Sequence, residues 1–339
     1  MKSATANVSI IICTRNRATD LRDTLRSLAN VYIPIGWIVE CIIVDNASTD
    51  ATPQVIAAFK TSQFDVHTVK EEHLGKAYAA NTALSQARGE ILLFTDDDVR
   101  VPADWIVGMT EPIRSGRADA VAGGVALAPH LERSWQQGNP WMTALLASTS
   151  ALSDASPRRL VGANMAIARR VFDTVSGFDV NLGPGSVLGL GEETLLTQQI
   201  KHAGFRVRSA FDVAVEHHCS ADRLSRRSYL QAVERVGRSQ GYIDYHWNCV
   251  SVSPIRLVSG LVSRYFKLGL RRALERPDLQ DEGLPLWEVS LLMQIYHRRQ
   301  LLTELGHPRK YAAKQPRGSV PARPDHHKAP AMQPCPPGQ

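Results

Sequence analysis

Asp96, Asp97 and Asp98 stand side by side directly after the apolar run Ile91–Thr95. Three adjacent carboxylates repel one another, and a turn rarely needs more than one. A hard divalent cation relieves that repulsion, because Mg²⁺ and Mn²⁺ prefer carboxylate oxygen. Side chains alternate along extended chain, so Asp96 and Asp98 share a side; a solvated acidic loop is the plainer alternative. A second acidic pair, Glu192-Glu193, opens a helical pattern whose buried face is marked by Leu196 and Ile200. The helix dipole alone favours acids in a first turn, by ~0.3–1 kcal/mol each. Glu193, however, lies three residues before Leu196 and faces inward with it, where a carboxylate needs a chemical reason. His217 and His218 follow an extended segment; a neutral imidazole is an acceptable Mn²⁺ ligand, and polar surface is the alternative for both. Lys76 follows Gly75 at a helix start, where free amides and a cation can meet phosphate, although a solvated lysine reads the same.

The elements that must position these residues are visible in the hydrophobic pattern. Segments 8–13 (VSIIIC), 40–44 (ECIIV) and 91–95 (ILLFT) are largely apolar and rich in β-branched residues, which predicts strands buried on both faces. A weaker strand is expected at 66–70. Between them lie helical patterns: one with Leu21, Leu25 and Leu28 on a side and Thr19 or Asp20 as N-cap, one opening at Thr52-Pro53, and one running from Gly75 to about Arg88. This alternation predicts an α/β fold with an open, mostly parallel sheet flanked by helices, and ligands bind beyond the carboxyl ends of such strands. Thr14-Arg15, Asp45 and the acidic triplet all occupy such ends. Further strands are expected at 120–127, 160–167 and 206–215, and helices at 192–202 and 224–240.

The ordered series VSIIICTRNR, IIVDNASTD, a Gly-Lys helix with Asn81, GEILLFTDDD, GANMAI, GFD, LGPG and GEET resembles the inverting family 2 glycosyltransferases of the GT-A fold. The resemblance runs from about Val8 to Gly241. Each motif is weak alone; their order is specific. It implies a sugar transferred from a nucleoside-diphosphate donor to an acceptor hydroxyl, with Mn²⁺ or Mg²⁺ as cofactor, in polysaccharide, glycolipid or other glycoconjugate synthesis. The same resemblance implies that Asp98 binds the metal bridging the diphosphate, with Asp96 near the ribose or metal and His217 completing the metal shell. Asp45 would meet the nucleobase, where a carboxylate suits the N3–H of uracil or thymine and favours a UDP- or dTDP-type donor; a turn aspartate capping amides is the other reading. Thr14 and Arg15 would lie beside the nucleoside and Lys76 near phosphate. Glu193 takes the place of the family's base, usually Asp, with Glu192 as an acceptor-binding or structural partner; the longer side chain changes the reach.

Composition sets the remaining bounds. The 339 residues carry a formal charge of +6, which invites a nucleic-acid reading. Residues 308–339 hold six basic side chains against one acid, Asp325, so five of the six surplus charges sit there and no nucleic-acid partner is expected. Five scattered cysteines (Cys13, Cys41, Cys219, Cys249, Cys335) give no metal knuckle and fit a reducing compartment. With no spanning segment and no clear signal peptide, a cytoplasmic protein is expected, at most at the inner face of the membrane. The expected organisation is a GT-A catalytic domain at 1–242 (nucleotide-sugar half 8–100, acceptor half 101–242), a helical extension at 243–312 and a disordered, basic, Pro-rich tail at 313–339. Basic and apolar residues mingle over 254–272, which reads either as a membrane-surface helix or as packing against the catalytic domain. Rivals are a sugar-phosphate nucleotidyltransferase, whose Gly-rich loop CTRNRATD lacks, and a carbohydrate-binding pseudoenzyme. A dinucleotide-binding dehydrogenase is excluded by the missing G-x-G-x-x-G.

Overall fold

The computed structural model describes residues 7–136, 139–153, 159–275 and 283–311. The expected tail at 313–339 and Cys335 lie outside them. In chain order come β1 (Val8–Thr14), α1 (Ala18–Leu28), β2 (Val39–Asp45), α2 (Thr52–Ala58), β3 (Asp65–Lys70), α3 (Lys76–Gln86) and β4 (Ile91–Thr95). β1 pairs in parallel with β2 on one side and β4 on the other, and β3 lies outside β2. Consecutive isoleucines explain the central position of β1: Ile10, Ile11 and Ile12 are each at most 1% exposed, so both faces are covered.

The second half adds β5 (Val99–Arg100), α4 (Trp105–Arg114), β6 (Ala120–Leu127), α5 (Pro140–Ala144), β7 (Asn164–Ala168), α6 (Glu192–His202) and β8 (Val207–His217). The eight strands are ordered β3-β2-β1-β4-β7-β6-β8-β5. β7 enters antiparallel between β4 and β6, while β6 and β8 run parallel and β5 pairs antiparallel with β8. The sheet is mostly parallel, and each of its antiparallel pairs (β4–β7, β6–β7, β5–β8) involves a strand of the second half. The strand expected at 160–167 starts only at Asn164, because Val161–Asn164 is a turn closed by the Asn164 N–H to the Val161 carbonyl at 2.9 Å. The expected cap of α1 by Thr19 or Asp20 is also corrected. Arg17 precedes the helix without a side-chain cap, and the loop after β2 supplies the acceptors, Thr52 Oγ1 for Arg17 N–H (2.9 Å) and Asp50 Oδ2 for Ala18 N–H (3.3 Å).

The chain ends in α7 (Arg226–His246), α8 (Pro254–Glu275) and α9 (Leu286–Glu304). α7 runs unbroken through position 242. Glycines let α9 approach it closely: a Cβ on Gly237 would meet the Met293 carbonyl at 2.8 Å, and one on Gly241 the His297 carbonyl at 2.6 Å. Glu288, fully buried, accepts hydrogen bonds from Arg226 of α7 (2.7 Å) and Arg272 of α8 (2.5 Å). Beyond α9 the chain returns to the sheet domain, where Tyr311 and Tyr242 both donate to Asp179 Oδ2 at 2.7 Å. Among the described residues no helix is long and apolar enough to cross a membrane.

Candidate active site

The strand order reverses at β1: the chain steps outward to β2 and β3, then crosses back to β4 on the other side. The crevice beyond the carboxyl ends of β1 and β4 is therefore where an open α/β sheet takes a ligand. Thr14 ends β1, and Asp96-Asp97-Asp98 follows β4.

The three aspartates point to three different partners. Asp96 bonds the Lys76 ammonium. Asp97 is buried and accepts from Thr14 Oγ1 at 2.7 Å; burial, and then the charge of Asp98, push its carboxyl up to about 7. Asp98, 3% exposed, lies between His217 Nε2 and Arg17 Nη2, each at 3.3 Å. Burial alone would raise its pKa, but His217, Arg17 and Arg223 hold it well below the ordinary carboxylate range.

His217 has its other nitrogen fixed: Nδ1 lies 2.8 Å from the Leu146 carbonyl, which can only accept, so Nδ1 carries a proton. In the neutral ring Nε2 is then a lone pair facing the lone pairs of Asp98 Oδ1. Either a proton or a cation must lie between them. A divalent metal fits that demand chemically, since a backbone carbonyl behind a ligating histidine is the usual orienting arrangement. Among the described residues no cluster of three or more potential ligands converges, and Asp96 is turned away to Lys76. Asp98 and His217 would thus hold the ion together with substrate oxygens.

The second acidic pair opens α6. Glu192 is 2% exposed and its Oε2 has no hydrogen-bond partner among the described residues. An unsatisfied buried carboxylate is costly. Burial first, and the neighbouring Glu193 second, raise its pKa well above its ordinary value, so the charged form of Glu192 is disfavoured. Glu193 is less buried, and its Oε1 would lie 2.3 Å from a Cβ on Gly162; Lys76 Nζ would lie 3.0 Å from the same atom. Gly162 is therefore the bare patch of backbone that lets the Glu193 carboxyl and the Lys76 ammonium converge. Burial would lower the Lys76 pKa, but Asp96, Glu193 and Glu192 hold it well above its ordinary value. Lys76, Glu192 and Glu193, with Cys13, Thr95 and Phe178, line a cavity of ≈ 10 Å³, room for about one water. Burial pushes the Cys13 thiol up to about 12, which makes it inert there.

The donor-side residues are spread along the same edge. Asp45 Oδ1 accepts from Ser48 N–H at 3.0 Å, which is the turn-capping arrangement. The loops after β1 and β2 are tied by Asn16, whose Oδ1 accepts from Thr49 N–H at 2.7 Å. Arg15 is exposed, and Thr14 is committed to Asp97. At the start of α3 the Gly75 N–H is taken by Asn46 Oδ1 and the Lys76 N–H by the Pro184 carbonyl, both at 2.8 Å. Arg17 and Gly162 were not distinguishable as site residues by type or spacing. The only signal was their place directly after β1 and within the GANMAI turn.

Residues 9–175 match the model of glycosyl transferase family 2. Succinoglycan biosynthesis protein ExoM of Rhizobium meliloti (strain 1021) is 32% identical over 126 residues, covering 37% of this chain and 40% of that protein. Glycosyltransferase AglE of Haloferax volcanii is 30% identical over 126 residues, 37% of this chain and 41% of its own length. The match thus spans about two fifths of these relatives. In fold, the chain is similar to the mannosyltransferase PcManGT from Pyrobaculum calidifontis, solved in complex with GDP-Man and Mn²⁺. There the TM-score is 0.59 at 19% identity, over 88% of this chain and 86% of that one.

Proposed function

Residues 9–175 are a glycosyl transferase family 2 domain on a GT-A-like fold, and from that premise we propose that the chain transfers a sugar, with inversion, from a nucleoside-diphosphate donor to an acceptor hydroxyl. The observation that carries this reading is the presence of two unlike acidic sets at one sheet edge. Asp98 with His217 is arranged for a cation, and Glu192 with Glu193 for proton transfer; Lys76, bonded to Asp96, lies between them.

Asp98 and His217 would hold Mn²⁺ or Mg²⁺. When bound, the ion supplies Lewis-acid stabilisation of the negative charge that grows on the departing diphosphate. Arg17, against Asp98, and Lys76 add positive charge beside that leaving group. Asp96 orients Lys76 rather than binding metal directly. Asp45, with Oδ1 spent on its own turn, has Oδ2 to accept the N3–H of uracil or thymine, and Thr14 and Arg15 border the nucleoside. Glu193, the less buried of the pair and set beside Gly162, would take the acceptor hydroxyl's proton as oxygen attacks the anomeric carbon. Holding donor and acceptor in line across Gly162 supplies much of the remaining acceleration.

The test is calorimetric titration of UDP, dTDP, GDP and CMP into the wild type and Asp98→Ala, with and without Mn²⁺. Metal-dependent binding of one nucleoside diphosphate, lost in the variant, is the expected result. Absence of binding for every nucleotide under both conditions would overturn the reading in favour of a non-catalytic scaffold.

A further inference from the structure

The two readings of segment 254–272 turn out to concern two different faces of one helix. The inner face of α8 packs on α9: Leu257 and Leu268 are buried, Arg264 donates to Gln294 at 2.7 Å, and Arg272 reaches Glu288. The outer face is apolar and uncovered among the described residues. Ile255, Val258, Val262, Phe266, Leu270 and Leu274 recur every three or four residues, and all are exposed, Ile255 by 80% and Phe266 by 70%. That spacing makes one continuous stripe along the whole helix. A folded monomer rarely leaves such a stripe bare without a use for it.

Charge identifies the occupant. Arg256, Lys267 and Arg271 are exposed and, at 100° per residue, lie together along one border of the stripe. The single acid of α8 is Glu275, at its last position and already paired with Arg271 at 3.3 Å. The face therefore presents hydrocarbon edged with positive charge that is offset within α8 only at Arg271. Residues 312–339 match this face poorly, since they contain only Val320 and Met332 as large aliphatic side chains and carry surplus positive charge themselves. A second copy of the same basic face would meet like charge. We propose that the outer face of α8 lies in the surface of an anionic lipid bilayer, with the apolar stripe in the acyl boundary and Arg256, Lys267 and Arg271 at the headgroups. α8 does not span; it lies flat, held to the domain through α9.

Flotation of the full chain with vesicles tests this. The wild type should float with vesicles of phosphatidylcholine mixed with phosphatidylglycerol, not with phosphatidylcholine alone, and should be released by salt. Val262→Ser/Phe266→Ser should weaken binding by at least ~tenfold. Arg256→Gln and Lys267→Gln should each weaken it about fivefold and flatten the salt dependence. All four substitutions are on exposed positions, and an unchanged unfolding transition confirms that the variants are folded. The proposal is overturned if the wild type binds no vesicle, if the neutral and anionic vesicles bind alike, or if the variants match the wild type. It is equally overturned if a wild-type dimer becomes monomeric on Phe266→Ser while vesicle binding is absent, since the face would then join two copies.

Discussion

The position of Glu193 depends on a missing methyl group. A Cβ at residue 162 would lie 2.3 Å from Glu193 Oε1 and 3.0 Å from Lys76 Nζ, so Gly162→Ala must displace both side chains. Misplacing a base by an ångström costs about 100-fold in rate; turnover should fall by that order while donor affinity, read by calorimetry, changes little. The two glutamates can be separated in the same assay. Glu193→Gln should cost ~10²–10⁴-fold, the contribution expected if it is the general base, whereas Glu192→Gln keeps the shape of a carboxyl whose charged form burial disfavours and should cost under about tenfold. Equal losses would remove the distinction between them. Away from the site, Glu40 gives a pH prediction. Burial would raise its pKa, but bonds from Ser9 Oγ (2.6 Å), Arg88 N–H (2.7 Å) and the Arg88 guanidinium lower it. A depressed carboxylate contributes stability that is present above its unfolded pKa and lost as pH falls through the folded one. Urea midpoints should thus fall on acidification below about 4.5, the ordinary glutamate value, and Glu40→Gln should flatten that slope while costing ~1–3 kcal/mol at neutral pH. At this scale the sequence was informative where chemistry forced a rare pattern. Three consecutive aspartates after a strand had to be explained, and the structure sets Asp98 Oδ1 3.3 Å from His217 Nε2. Arg17 was not legible, because an arginine in a loop looks the same whether it is solvated or set against a buried acid.

Elements were read from their hydrophobic periods, and this worked best where burial is two-sided. A run such as ILLFT has no polar face to offer and must be interior. The method failed at 160–163, where the apolar letters belong to a turn that brings Gly162 to the site. It also missed the cap of α1, because the acceptors arrive from a loop more than thirty residues away, through contacts that no local pattern encodes. The helical extension shows how one residue can join three elements. Glu288 of α9 binds Arg226 of α7 and Arg272 of α8, and its side chain is 0% exposed. Glu288→Ala would leave two guanidinium groups facing each other without their shared partner. A loss of ~2–4 kcal/mol in denaturant stability is expected, below the largest values for buried pairs because Arg272 is partly solvated. Hydrogen exchange should locate the loss in α8, whose amides should exchange faster than those of α7; uniform acceleration across the chain would instead make Glu288 a general stability element.

For the whole molecule, the chain's last described residues act on its middle. Tyr311 and Tyr242 share Asp179 Oδ2, while Asn181 donates to Oδ1 at 2.6 Å, and together they hold Asp179 below its ordinary pKa against the effect of burial. This fixes the start of the 179–191 loop that leads into Glu192. Tyr311→Phe or Tyr242→Phe should each cost ~1–2 kcal/mol, and the double variant should depart from additivity by at least ~0.5 kcal/mol, since both act on one oxygen. A double-mutant cycle in urea that closes to zero would mean the two hydroxyls work independently. Pairings across such long separations are also why the sheet order could not be read from sequence: β7 inserts antiparallel beside β4 although 68 residues separate Thr95 from its partner Asn164. That insertion has a consequence for synthesis on the ribosome. β1 to β4 can assemble as soon as they emerge, but β4 then presents the bare edge of ILLFT to the cell. At ~5–20 residues per second, the strand that covers it takes several seconds to arrive. For that interval the nascent chain carries an open, apolar β edge of the kind that pairs with other chains, so its yield in the cell should depend on translation speed and on chaperones that shield that edge.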